Sequence, residues 1–110
     1  MFFLRLDLRG GWGRIPIGGT LVIGRSNTAD LILDSPTIAR VHCRLCVEGE
    51  GLYVEPLGKG SATQINGRPI DGKTELSLGD WLHVGTFTLI IEDEHRQSLA
   101  RPKRGISAQT

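Results

Sequence analysis

The residues on which catalysis or metal binding would rest are two cysteines, three histidines and a scatter of carboxylates. Cys43 and Cys46 form one C-x-x-C, the spacing of half a zinc site or of a redox pair, but no second pair of metal ligands stands at a suitable distance along the chain. Both lie inside the strand-like run VHCRLCV. Side chains three apart on a strand point to opposite faces, so the two thiols diverge and read as ordinary strand residues. His42 adjoins Cys43 in the same run, and neighbouring strand side chains also point apart, so the two do not make a nucleophile and its base. No Ser–His–Asp set stands out, and Asp30, Asp34 and Asp80 are scattered in turn-like contexts instead of flanking a cleft. The expectation is a protein that is not an enzyme, with no metal and no cofactor.

Bulk properties narrow the partners. A chain of 110 residues is the size of one ordinary domain with one modest core. A formal charge of +1 lacks the basic excess that nucleic acid or a membrane surface usually meets, so neither is expected as a partner and any anion site must be local. The start MFFLRLDLRG is too short and too interrupted by charge for a secretory leader, and no apolar run approaches the ~20 residues of a membrane helix. Two cysteines give no disulfide framework. These features point to a cytoplasmic protein.

The elements that would position a site are strands. FFLRLDL alternates apolar and polar residues, GGWG supplies a turn, and RIPI answers as the second arm of a hairpin. TLVIG, LIL, VHCRLCV, LYVEPL, ATQI, RPI, ELSL, WLHV and TFTLIIE follow as short runs. Between them stand the turn formers SNTAD, EGEG, GKGS, Asn66-Gly67, Asp71-Gly72, Gly79-Asp80 and Gly85, together with the polar loop SPTIA. In VHCRLCV the period of two assigns Val41, Cys43, Leu45 and Val47 to the core face and His42, Arg44 and Cys46 to the other. Turn signals about every ten residues and 15 glycines predict an all-β sandwich or barrel over residues 1–92. From residue 93 apolar periodicity ends, and EDEHRQSLARPKRGISAQT reads as a flexible basic tail or linker over 93–110. Ser98 and Ser107 each follow an arginine within a few residues there.

Four short motifs stand in order in the loops: Gly24-Arg25, then Ala39-Arg40-Val41-His42, then Ser61-Ala62-Thr63-Gln64-Ile65-Asn66-Gly67, then the Gly79-Asp80 to Val84-Gly85 ending. Together they resemble the forkhead-associated (FHA) domain family, whose pattern runs GR, SRxH, NGTxVNG and GD…VG at similar spacing. The resemblance covers about residues 1–92. It implies an antiparallel β-sandwich of about ten to eleven short strands that recognises phosphothreonine-containing peptides through loops at one edge.

A phosphate dianion carries only acceptor oxygens, so it calls for a planar guanidinium and further donors from hydroxyls and backbone N–H groups. By the resemblance, Arg25 is the principal phosphate-binding arginine and Arg40 brings a second charge or a peptide contact; Lys59 and Ser61 are expected to complete the site. Gly24, His42, Thr63, Asn66 and Gly67 support the binding loops, His42 by hydrogen bonding. The chain departs from the pattern at Ala39, where the family has a phosphate-binding serine, and at Ser61, where it has the asparagine that holds the peptide main chain. Gly60 stands where a threonine ligand is sometimes found. A hydrogen bond to a charged group contributes about 1.5–3 kcal/mol, so each lost donor weakens binding roughly ten- to a hundredfold. Ser35, Thr37 and Ser61, with the backbone N–H groups of residues 58–60, are nearby replacements. The alternative is a phospho-independent scaffold domain of the same fold, as in degenerate members of bacterial secretion assemblies.

Overall fold

The computed structural model describes residues 1–8, 11–58 and 62–93. Along the chain they form eleven strands: β1 (Phe2–Leu8), β2 (Gly11–Ile17), β3 (Thr20–Gly24), β4 (Leu31–Ile32), β5 (Cys43–Glu48), β6 (Gly51–Pro56), β7 (Thr63–Ile65), β8 (Arg68–Pro69), β9 (Thr74–Leu76), β10 (Trp81–Val84) and β11 (Phe87–Asp93). A six-stranded sheet in the order β2-β1-β11-β10-β7-β8 packs on a five-stranded sheet in the order β4-β3-β5-β6-β9. No helix of the described residues is long and apolar enough to cross a membrane. The all-β sandwich expected from the turn spacing is the observed fold.

Period-two alternation places the core. Leu4 and Leu6 of β1, Leu82 and Val84 of β10, and Leu89 and Ile91 of β11 face Leu21 and Ile23 of β3, Cys43 and Leu45 of β5, and Leu52 and Val54 of β6, all buried. Each such side chain contributes about 1.5–3 kcal/mol on leaving water. Cys43 belongs to this core, where burial pushes its thiol up to about 12, while Cys46 is half-buried on the opposite face.

Three local expectations change. Val41 is exposed and His42 is fully buried, the reverse of the alternation predicted for VHCRLCV. The strand begins only at Cys43, and the bend at residues 40–41 breaks the period, so the core face holds from Cys43 onward. Strand β4 pairs parallel with β3, Ile23 beside Leu31 and Gly24 beside Ile32, which makes the sheet mixed. Asp30 allows this tight return: its carboxylate accepts from Val22 N–H at 2.8 Å while its own N–H donates to Val22 O at 2.9 Å. Finally, β2 begins at Gly11 and so takes up part of the expected GGWG turn, and β11 runs to Asp93. The tail beyond Asp93 lies outside the described residues.

Candidate functional site

The β3–β4 connection and the segment leading into β5 are laced together by their main chains. Arg25 N–H donates to Ala39 O at 3.0 Å, Ser26 N–H to Arg40 O at 3.1 Å, and His42 N–H to Ile23 O at 2.9 Å. This approach explains Gly24: a Cβ there would stand 2.2 Å from Arg40 O and 2.9 Å from its carbonyl carbon, closer than real contacts allow.

Arg25 is anchored by that lacing and by its own side chain. Its Nε donates to Ile38 O at 3.1 Å, leaving the terminal nitrogens of an exposed guanidinium with no partner among the described residues. Arg40 is also exposed and has no side-chain partner among the described residues. The two cations therefore sit on adjacent, mutually bonded segments at one end of the sandwich.

His42 ties this pair of segments to a third. Buried completely, it accepts from Ala39 N–H at Nδ1 (3.0 Å), so the proton resides on Nε2 and is donated to Ala62 O at 3.0 Å. Ala62 O also accepts from Gly85 N–H at 3.0 Å, which joins the β10–β11 turn to the same point. Gly85 has φ of 59°, and a Cβ there would press on Ile38 Cδ1 at 2.7 Å and on Thr37 O and Oγ1 at 2.8 Å. Thr37 Oγ1 in turn lies 3.2 Å from Thr86 Oγ1 and accepts from Thr86 N–H at 3.4 Å. Motif reading alone missed this latch between residues 37–38 and 85–86. Its only trace in the sequence is the glycine after Val84.

The other expected residues fall in three places. Thr63 is buried beside Ala62, and its hydroxyl has no partner among the described residues. Asn66 and Gly67, with φ of 53° and 85°, make the hairpin turn at the opposite end of the three-residue β7, away from Arg25. There Asn66 donates from Nδ2 to Asp80 Oδ1 at 3.0 Å and accepts from Trp81 N–H at 2.9 Å. This pair thus fastens β7–β8 to the start of β10. Lys59 and Ser61 lie outside the described residues. Of the candidate replacement hydroxyls, Ser35 and Thr37 bond each other at 3.0 Å on the segment that receives Arg25. Ala39 offers no hydroxyl, and its N–H is already given to His42.

Known proteins share this sequence pattern and this fold. Residues 21–85 match the family model described as the FHA domain. Among curated relatives, the glycogen accumulation regulator GarA of Mycolicibacterium smegmatis is 32% identical over 71 residues, 64% of this chain and 44% of that protein. GarA of Mycobacterium tuberculosis is 30% identical over 82 residues, 74% of this chain and 46% of that protein. The chain therefore spans less than half the length of these relatives. Two solved structures share the fold: the FHA domain of the CT664 protein from Chlamydia trachomatis, and the cytoplasmic domain of PscD, a sorting-platform protein of the P. aeruginosa T3SS. The first has a TM-score of 0.74 at 23% identity over 84% of this chain and 96% of that one. The second has 0.75 at 21% over 87% and 82%. With the family model matching more than half of its length, this chain belongs to the FHA-domain family of protein-interaction modules.

Proposed function

We propose that this chain binds a threonine-phosphorylated segment of another protein, with Arg25 gripping the phosphate, Arg40 adding charge, and Lys59 and Ser61 completing the site. The reading rests on one observation above others. Arg25 is tethered through its Nε and its backbone to the 38–39 segment, yet its terminal nitrogens meet no carboxylate among the described residues. A held guanidinium without an internal anion is arranged for an external one. The module has no catalytic step of its own, takes no cofactor, and works in the cytoplasm as an adaptor. GarA, a regulator by its name, is consistent with such a role.

One observation favours a second reading, a phospho-independent scaffold. Position 39 supplies neither a hydroxyl nor a free N–H, so the anion loses a donor there. The two readings separate in one experiment. Titration with a phosphothreonine peptide library should shift amide resonances around residues 25, 40 and 62, while matched unphosphorylated peptides leave them in place. Ala39→Ser should tighten binding by roughly tenfold or more by restoring a charge-assisted hydrogen bond. If no phosphopeptide shifts any resonance at millimolar concentration and Ala39→Ser rescues nothing, the phospho-independent scaffold is the better account.

A further inference from the structure

The end of the sandwich opposite Arg25 carries a hollow of its own. β3 starts beside Gly18 and Gly19 and ends before Arg25, and β5 returns antiparallel to it toward the β5–β6 turn at Gly49. At that turn the start of β1, the end of β2 and the end of β11 come together and enclose about 360 Å³. The walls are apolar: Ile17 is buried, Phe2 and Val47 are half-buried, and Met1 is 58% exposed. A Cβ added at Gly18 or Gly49, which line the hollow, or at neighbouring Gly19 would meet no atom within 4 Å, so the opening is clear of the protein's own side chains. Apolar side chains gathered around one open hollow mark a contact surface. Glu50 adds an exposed carboxylate with no side-chain partner among the described residues, and no lysine or arginine of the described residues lines the hollow.

Asp93, the last residue of β11, also lines this hollow, so residues 94–110 continue from its opening. They are the basic part of the chain. Arg96, Arg101, Lys103 and Arg104 stand there against Glu94, net +3, whereas residues 1–93 hold nine Lys and Arg against eleven Asp and Glu, net −2. Leu99 is the first large apolar residue after Ile91, and the six residues from Asp93 to Leu99 span at most about 20 Å, ample for a return to a hollow whose wall includes Asp93. We propose that the segment 95–104 folds back on this end of its own domain, with Leu99 filling the apolar hollow and Arg96 and Arg101 set beside Glu50. Attachment and charge select this occupant. A segment joined a few residues away meets its seat at an effective concentration on the order of millimolar, without the full entropic cost of capturing a separate molecule. A second copy of the domain would instead bring another Glu50 and another net negative charge to the same place. The contact lies at the end away from Arg25 and Arg40, so it stands or falls independently of the phosphothreonine reading.

Nitrogen-15 relaxation and amide shifts of the full chain at low salt test the proposal. In the parent, order parameters of residues 97–101 should exceed about 0.6, the limit of a flexible backbone, while those of residues 107–110 fall below it. Leu99→Asp should bring residues 97–101 below that limit too and shift the amides of Ile17, Val47 and Gly49, leaving those of residues 25 and 40 in place. Glu50→Lys should release the segment in the same way. Adding Arg96→Glu and Arg101→Glu to it should restore the order, which a role of Glu50 in its own turn would not produce. Dilution should change none of this, because a tethered contact does not depend on protein concentration. Thermal melting of each variant verifies the fold. Three results would each overturn the proposal: residues 97–101 as mobile as 107–110 in the parent, Leu99→Asp shifts confined to residues 25 and 40, or order that vanishes on dilution, the last in favour of a contact between copies.

Discussion

Arginines occupy two regions of this molecule under opposite conditions. On the outer face of the six-stranded sheet, Arg5 and Arg14 approach the carboxylate of Glu92 at 3.9 and 3.2 Å, and the Arg14 guanidinium lies 4.2 Å above the Phe3 ring. Glu92 is only 2% exposed, so this charge is held inside a set of opposite charges and ring contact that joins β1, β2 and β11. At the loop edge, Arg25 and Arg40 are exposed, and the former is fixed by a backbone carbonyl instead of a carboxylate. The difference teaches how to separate structural from ligand-directed arginines. Where an internal carboxylate neutralises the guanidinium, the protein has spent that charge on itself. Where only a neutral carbonyl orients it, the charge remains for a partner.

Substitutions in the two regions should therefore differ in what they change. The largest effect is expected at the glycine beneath the loop edge. Gly24→Val drives carbon into the Arg40 carbonyl, a backbone atom that cannot rotate away, and should destabilise the fold by about 3–5 kcal/mol in urea unfolding. A stability within 1 kcal/mol of the parent, taken as roughly the noise of such comparisons, would mean the lacing of residues 25–26 onto 39–40 is not built as described.

Next comes Glu92→Ala, expected to cost about 2–4 kcal/mol because two largely covered arginines lose their counter-charge. Phosphopeptide affinity of the folded fraction should stay unchanged. A selective loss of affinity at intact stability would break the contrast between the two regions.

His42→Phe keeps much of the ring volume but leaves Ala39 N–H and Ala62 O without their buried partner, and should cost about 2–3 kcal/mol. Unlike Glu92→Ala, it should also weaken peptide binding, since the ring joins the arginine segments to the next loop. Amide exchange at residues 39 and 85 gives a direct readout of that uncoupling.

The smallest effect concerns the thiols. Cys46 should react with an alkylating reagent at neutral pH while Cys43 stays protected until the fold opens. The folded Cys43 thiol, raised by burial from 9.0 to about 12, favours the protonated form more than the unfolded chain does. Its contribution to stability is therefore fully present below pH 9 and is lost as pH rises toward about 12, so unfolding free energy should decline across that window. A flat profile there, with Cys43 labelled as fast as Cys46, would place Cys43 outside the core.

Much of this was legible in the residues. Period-two runs between glycine turns announced a sandwich, and Asn66-Gly67 announced the tight turn that the left-handed φ values confirm. The resemblance to the FHA family implied that Arg25 and Arg40 stand at one end of the sandwich, and the main-chain bonds of residues 25–26 to 39–40 place them on neighbouring segments. What was hidden depended on bends and on contacts across the sandwich. Val41 and His42 exchange their expected sides because the chain bends before β5, and period counting assumes no bend. The parallel β3–β4 pair depends on one carboxylate closing the loop on Val22, which a short run such as LIL does not announce. The bonds of Asn66 to Asp80 and to Trp81 N–H at the far end of the three-residue β7 depend on the pairing of β7 with β10, which motif spacing does not announce.

The account turns on Arg25 being spent on a ligand and not on the fold. Its most direct test is Arg25→Ala, measured by calorimetric titration with a phosphothreonine peptide selected from the library and by urea unfolding of the same sample. Binding should weaken by about 2–4 kcal/mol, the loss expected when a charge-assisted contact to phosphate is deleted. Stability should change by less than about 1 kcal/mol, because only one side-chain bond to Ile38 O is removed and the backbone lacing of residue 25 survives. Unchanged phosphopeptide affinity, or a loss of binding matched by an equal loss of stability, would contradict it.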